Sequence, residues 1–220
     1  MTYTGRDKDR VYSGENADVS FSLRRCIHAE ACIKGLPQVF DKDKRPWIQV
    51  GDTSADALVD LVGRCPSGAL HVNRRDGGAA EATPSANRIT LWPNGPIQVR
   101  GDLHIVGAGV DVEDETRATL CRCGATQNKP FCDNSHLKNG FTAAPASSQR
   151  AEAGPIVEGG TLHIDAEANG PLRITGNVRI LEADGTEIFA GDTVALCRCG
   201  SSANKPFCDG THLTNGFQAE

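Results

Sequence analysis

Nine cysteines in a 220-residue chain fall into three groups of three, and this grouping constrains the fold more than any run of apolar residues. The groups are Cys26, Cys32 and Cys65; Cys121, Cys123 and Cys132; and Cys197, Cys199 and Cys208. In the second and third groups a histidine, His136 or His212, stands four residues after the last cysteine. The cysteine density lies below that of a disulfide scaffold. Aromatic residues make up 5% of the chain, which leaves little core material. Small units braced by metal are therefore expected.

The chain repeats itself. Asn94–Gly101 matches Asn169–Gly176 at an offset of 75, and Cys121-Arg-Cys-Gly124 matches Cys197-Arg-Cys-Gly200 at an offset of 76. Asn128–Asp133 and His136–Phe141 recur as Asn204–Asp209 and His212–Phe217. Two copies are too few for a solenoid, so this is a duplicated domain. Alternating Ile97, Val99, Leu103 and Ile105, and Leu172, Ile174, Val178 and Ile180, predict short antiparallel strands with glycine-marked turns between them. The expected organisation is an N-terminal tail (1–16), a small domain (17–75), a linker (76–87), copy one (88–142), a second linker (143–154) and copy two (155–220). The linkers show as Gly, Ala, Ser and Pro composition.

Residues i and i+2 of an extended segment point the same way, and residues i and i+4 of a helical turn share a face. Cys121 and Cys123 can therefore grip one metal atom, and Cys132 and His136 another. Cys197 and Cys199, and Cys208 and His212, repeat the arrangement. Pro130 and Pro206 precede the turn, where a missing N–H costs least. Two ligand pairs suit either a two-iron cluster or one tetrahedral ion such as Zn²⁺. A disulfide reading leaves both histidines unexplained.

The segment Cys197-Arg-Cys-Gly-Ser-Ser-Ala-Asn-Lys-Pro-Phe-Cys-Asp-Gly-Thr-His212 resembles the CDGSH (NEET-type) iron–sulfur motif. Copy one departs from it only at Asn134, where the motif has Gly; Asn is the usual substitute at positive φ. With their strands the two copies cover about 120 residues. The resemblance implies one [2Fe-2S] cluster per copy with Cys3His ligation, and two β-rich modules with one short helix each. It places Thr126 and Ser202 as hydrogen-bond donors near the cluster, and Asp133 and Asp209 as shapers of the turn. Homodimeric members pair across a two-fold axis. Two copies on one chain therefore imply an intramolecular pseudo-dimer and a monomer in solution.

The first cysteine group reads differently. Cys26-Ile-His-Ala-Glu-Ala-Cys32 is followed by a remote Cys65-Pro66. Bacterial ferredoxins combine clustered cysteines with a remote Cys-Pro. Over residues 17–73 this resembles a divergent mono-cluster ferredoxin-like domain, with Ala29 where a middle cysteine would stand. Three cysteines suit a [3Fe-4S] cluster; a fourth ligand from His28 or Glu30 would permit [4Fe-4S]. Val19, Phe21 and Leu23 predict a first strand, Pro46–Val50 another, and Asp56–Gly63 a helix with Leu58, Leu61 and Val62 inward.

A net charge of −5 excludes the basic surplus of a general nucleic-acid binder. No apolar run reaches the ~18 residues of a membrane span, and the charged N-terminus has no signal-peptide core. A cytoplasmic location is expected. Gly107-Ala-Gly109 lacks the third glycine and helix of a dinucleotide fingerprint. Arg74-Arg75 reads as solvated linker. His71, His104 and His163 read as strand-surface residues, and Trp47 and Trp92 as packing anchors. No catalytic triad or paired carboxylates appear, so no enzyme is expected. The fold class is α+β, and the expected function is one-electron transfer between redox partner proteins. The alternative is a cluster carrier or redox/iron sensor.

Overall fold

The computed structural model describes residues 2–4, 9–144 and 158–219. The second expected linker lies, beyond its first two residues, outside them. The chain forms two units, Arg6–Ala82 and Met1–Gly5 with Thr83–Glu220.

In the first unit β1 (Arg10–Ser13), β2 (Ala17–Phe21) and β3 (Leu70–Arg74) form an antiparallel sheet in the order β1-β2-β3. Helices α1 (Ala31–Gly35) and α2 (Ala55–Gly63) lie between β2 and β3 in sequence. Helix α2 starts at Ser54, whose side chain accepts from Ala57 N, and buries Leu58, Leu61 and Val62. Val19, Phe40, Ile48 and Leu58 make the centre of this core. Three expectations need correction. The first strand ends at Phe21, and Leu23 lies beyond it, exposed. Residues 46–50 form a single bridge, Phe40 to Ile48, because Trp47 turns to pack edge-on against Phe21. The expected tail contains strand β1, which covers the edge of β2.

The second unit is one six-stranded sheet of β4 (Arg88–Leu91), β5 (Ile97–Gly107), β6 (Val110–Leu120), β7 (Thr161–Ala166), β8 (Leu172–Glu182) and β9 (Glu187–Leu196). Strand β4 pairs antiparallel with the first part of β5 and parallel with the last part of β8. Strand β7 pairs antiparallel with the first part of β8 and parallel with the last part of β5. The two parallel pairings join one copy to the other: Ile89 faces Ile180, and Ile164 faces Ile105. A shift of 75 along the chain turns one pair into the other. One core results, with Ile89, Val99, Leu103, Ile105, Leu162 and Ile174 fully buried.

The turns expected at Gly101 and Gly176 are bulges inside continuous strands. Asn87 is the reason at Gly101: its side chain accepts from Asp102 N and donates to the carbonyls of Gly160 and Asn177. A Cβ on Gly101 would lie 2.0 Å from Asn87 Oδ1. The short helix expected in each copy is a three-residue 3-10 turn, Ser135–Leu137 or Thr211–Leu213. Among the described residues no helix is long and apolar enough to cross a membrane.

Candidate metal centres

Each duplicated site hangs from the end of a long strand. After β6, Cys121 N donates to Pro130 O and Cys132 N to Thr119 O, so the returning chain pairs with the strand end. After β9, Cys197 N donates to Pro206 O and Cys208 N to Ala195 O. Cys121 and Cys123 Sγ lie 3.6 Å apart, and Cys197 and Cys199 Sγ 3.8 Å. All nine cysteines are free thiols. Two thiolates ~2.3 Å from one tetrahedral metal stand ~3.8 Å apart, whereas a disulfide needs ~2.05 Å.

The second ligand pair joins a cysteine just before the 3-10 turn to the histidine on it. Cys132 Sγ lies 3.6 Å from His136 Nδ1, and Cys208 Sγ 3.4 Å from His212 Nδ1. A thiolate and an imidazole nitrogen on one tetrahedral metal stand ~3.6 Å apart. Nδ1 therefore faces the ligand pair and Nε2 is left free. The chain reaches this geometry through a left-handed residue, Asn134 at φ 68° in copy one and Gly210 at φ 85° in copy two. Asn134 thus does what its place in the motif implies.

The aspartates pin the same turn. Asp133 accepts from Gln127 N and Ser135 N, and Asp209 from Ala203 N and Thr211 N. Burial alone would raise the Asp133 pKa, but these hydrogen bonds outweigh it and hold the carboxylate below its ordinary range. Asp209 is held lower still by the Thr211 hydroxyl and backbone. Thr126 and Ser202, expected as donors near the cluster, sit inside the ligand loops. Their buried hydroxyls donate to Phe131 O (2.9 Å) and Phe207 O (2.7 Å), and they accept from Asn128 N and Asn204 N. They brace the ligand loop.

The thiols need a cation. Burial pushes Cys132 up to about 11 and raises Cys197. The Cys121–Cys123 contact shares one proton, raising Cys121 and lowering Cys123 to about 6. Thiols pushed up by burial lose their protons when a metal supplies positive charge.

In the first unit, Cys26, Cys32 and Cys65 line a cavity of about 880 Å³ together with His28 and Glu30. Burial pushes the Cys32 thiol up to about 11 and raises Cys26, and in both the charge of Cys65 adds to the rise. The loop between Cys26 and Cys32 folds through left-handed His28 (φ 54°) and Glu30 (φ 58°). His28 Nδ1 is 3.9 Å from Cys26 Sγ, and the Glu30 carboxylate pairs with Lys34 at 3.2 Å.

Comparison with protein-family models matches residues 12–75 to the divergent 4Fe-4S mono-cluster family. Residues 94–137 and 169–213 match the iron-binding zinc finger of CDGSH type. The chain carries a divergent mono-cluster domain followed by two CDGSH iron-binding modules. Its curated relatives include the uncharacterized protein YjdI of Escherichia coli K12 and of strain O157:H7. Each is 36% identical over 61 residues, which is 28% of this chain and 80% of YjdI. No solved structure matches.

Sequence reasoning passed over two features of the CDGSH modules. Gly124 and Gly200 pack each Cys-Arg-Cys turn onto the other copy's turn. Arg122 and Arg198 are buried beside them. The signal was there, since Cys-Arg-Cys-Gly is identical in both copies. His104 and His163, expected alone on the surface, meet on neighbouring strands with ring centroids 5.4 Å apart. His104 Nε2 lies 3.0 Å from Asp111. The equivalent place in the other copy holds the Arg179–Glu187 ion pair at 2.7 Å.

Proposed function

We propose that the chain is a three-cluster electron-transfer protein. Its CDGSH modules would hold one [2Fe-2S] cluster each, on Cys121, Cys123, Cys132 and His136 and on Cys197, Cys199, Cys208 and His212. Its N-terminal domain would hold a [3Fe-4S] cluster on Cys26, Cys32 and Cys65. Bound clusters supply the one-electron chemistry; the protein sets potential and access. The observation that carries the assignment is the pairing of each ligand couple at the spacing of one tetrahedral metal, twice in each copy. At the N-terminal site Glu30 is engaged by Lys34, while His28 Nδ1 lies 3.9 Å from the Cys26 sulfur, which leaves His28 as the candidate for a fourth ligand and a [4Fe-4S] cluster.

Electron exchange needs a surface near each centre. Among the described residues the exposed large hydrophobics are Val11, Leu23, Leu137 and Leu213. Leu137 and Leu213 directly follow the ligand histidines, and Val11 and Leu23 line the N-terminal cavity. Apolar side chains beside each centre suit transient docking of protein partners. We read the two CDGSH modules as halves of an intramolecular pseudo-dimer, supported by their reciprocal parallel strand pairing. We place the chain in the cytoplasm, where thiols stay reduced.

The second reading, a carrier that donates labile Cys3His clusters, is favoured by the half-buried state of Cys123, Cys199 and Cys208. Mixing the iron-labelled protein with a thiol-reduced apo-ferredoxin, and separately mixing its reduced form with an electron acceptor, separates the two. Acceptor reduction with all iron retained supports electron transfer. Iron in the apo-ferredoxin without net electron flow supports the carrier.

A further inference from the structure

His104, His163, Asp111 and Glu113 meet on the outer face of the six-stranded sheet. In β5 His104 stands between buried Leu103 and Ile105, and in β7 His163 stands between buried Leu162 and Ile164, so both imidazoles point away from the core. Strands β5 and β7 run parallel and set the two histidines directly opposite each other. In β6 Asp111 and Glu113 flank buried Val112 and share the same outer face. Three neighbouring strands thus bring two imidazoles and two carboxylates together.

His104 Nε2 lies 3.0 Å from Asp111 Oδ1 and 3.8 Å from Glu113 Oε1, and the three donor atoms all lie within 4.8 Å of one another. A nitrogen and an oxygen on one tetrahedral zinc stand ~3.4 Å apart, between the two observed values. The ring centroids of His104 and His163 are 5.4 Å apart. Two imidazoles on one tetrahedral metal hold their ring centres ~5.2 Å apart. His163 is exposed, so its ring has room to turn a nitrogen toward the other three donors. Among the described residues neither carboxylate pairs with a lysine or arginine; His104 is the partner they share.

The other copy fills the corresponding place with different chemistry. A shift of 75 turns His104 into Arg179 and His163 into Arg88, and these two arginines face each other in the same parallel register. Arg179 closes on Glu187 at 2.7 Å. A guanidinium is always charged and has no lone pair to give a metal. Copy two therefore meets its carboxylate with a permanent cation, whereas copy one meets two carboxylates with groups that themselves bind cations. The cluster is also far from the cysteine centres. Asp111 lies at the start of β6 and Cys121 follows its end, on the order of 30 Å along the strand.

We propose that His104, His163, Asp111 and Glu113 form a mononuclear site for a divalent transition-metal ion of the zinc type, separate from the cysteine centres. Imidazole donors suit Zn²⁺, Ni²⁺ and Cu²⁺, whereas Mg²⁺ and Ca²⁺ take oxygen ligands. Every ligand reaches the sheet surface, so the ion exchanges with solution and binds without any change of fold. The site does not depend on which metal the cysteine centres carry.

The test is a titration of Zn²⁺ into the full, metal-loaded chain under anaerobic conditions, in excess Mg²⁺ and in competition with a fluorescent zinc indicator. Metal at the cysteine centres is counted before and after. One Zn²⁺ per chain is expected to bind while the metal at the cysteine centres is retained. Changes outside the ligand set alone alter metal affinity about 10–100-fold, so His104→Gln, His163→Gln and the double variant Asp111→Asn with Glu113→Gln should each weaken binding at least about tenfold. Arg179→Gln, at the corresponding place in copy two, is expected to leave it unchanged. Circular dichroism of all these surface variants should match the parent. No zinc bound beyond the cysteine centres, zinc bound only by displacing their metal, parental affinity in any of the three ligand variants, or an equal loss in Arg179→Gln would overturn the proposal. Displacement of the zinc by Mg²⁺ would overturn the choice of a transition ion and with it the site.

Discussion

Gly124 lies against the backbone of Cys199: a Cβ there would sit 2.4 Å from the Cys199 carbonyl oxygen, and Gly200 stands in the same relation to Cys123 at 2.5 Å. Both glycines also have left-handed φ, 80° and 83°. Backbone rather than a flexible side chain occupies the space, so neither clash can relax locally. Gly124→Ala and Gly200→Ala are each expected to cost ~2–4 kcal/mol. Each should lower the thermal midpoint and weaken iron retention in both CDGSH copies. Iron loss confined to the mutated copy would mean that the turns do not support one another.

The hydroxyls of Thr126 and Ser202 are buried and each closes its loop with two hydrogen bonds. Thr126→Val and Ser202→Ala leave a carbonyl and an N–H unpaired, at ~1–3 kcal/mol each. Denaturant titration should show this loss, while the reduction potential of the loaded site moves little. A large potential change with unaltered stability would restore these residues as cluster donors.

The pH response follows from which groups titrate first. Asp133 and Asp209 have depressed pKa values, so their support is present above the ordinary carboxylate pKa and is lost only as pH falls through the lowered folded values. Both still hold the turn at pH 6. Burial lowers the His136 pKa, and a lowered histidine favours the neutral, metal-binding form. Its contribution is present above the unfolded imidazole pKa of ~6.5 and declines as pH falls below it. Cluster loss from the first CDGSH site should therefore accelerate below about pH 6.5, with the N-terminal centre responding less. His136→Cys and His212→Cys should each slow acid loss at their own site and lower its potential. Absorbance decay that is unchanged in the double variant would show that the histidines are not ligands.

The ligand sets were legible because metal chemistry requires particular residue types at short range. Cys121, Cys123, Cys132 and His136 lie within one loop, and their spacing alone brings them together. The copy-to-copy arrangement was less legible. Nothing local in Ile89 says that it will face Ile180, since parallel pairing between copies is decided by burial across the whole sheet. Gly101 reads as a turn by composition, but Asn87, just before β4, makes it a bulge. The Thr126 hydroxyl could be placed near the cluster by motif; that its proton goes to Phe131 O depends on the loop's three-dimensional path. Nothing in the sequence marks Arg122 and Arg198 as buried, because burial of a charge has no sequence signature.

An intramolecular pseudo-dimer, as proposed above, would make a second chain unnecessary. Sedimentation of the loaded protein at low concentration should give the mass of one chain, 23.3 kDa. A species of twice that mass would mean that the copies pair between chains.

The most direct test of the three-cluster account is a metal and acid-labile sulfide count with an absorption spectrum on anaerobically purified protein. The account predicts about seven iron atoms and about eight sulfides per chain, with iron rising to about eight if the N-terminal centre is a cubane. It also predicts visible charge-transfer absorption that bleaches on reduction. Zinc at about three per chain in a colourless protein would contradict it.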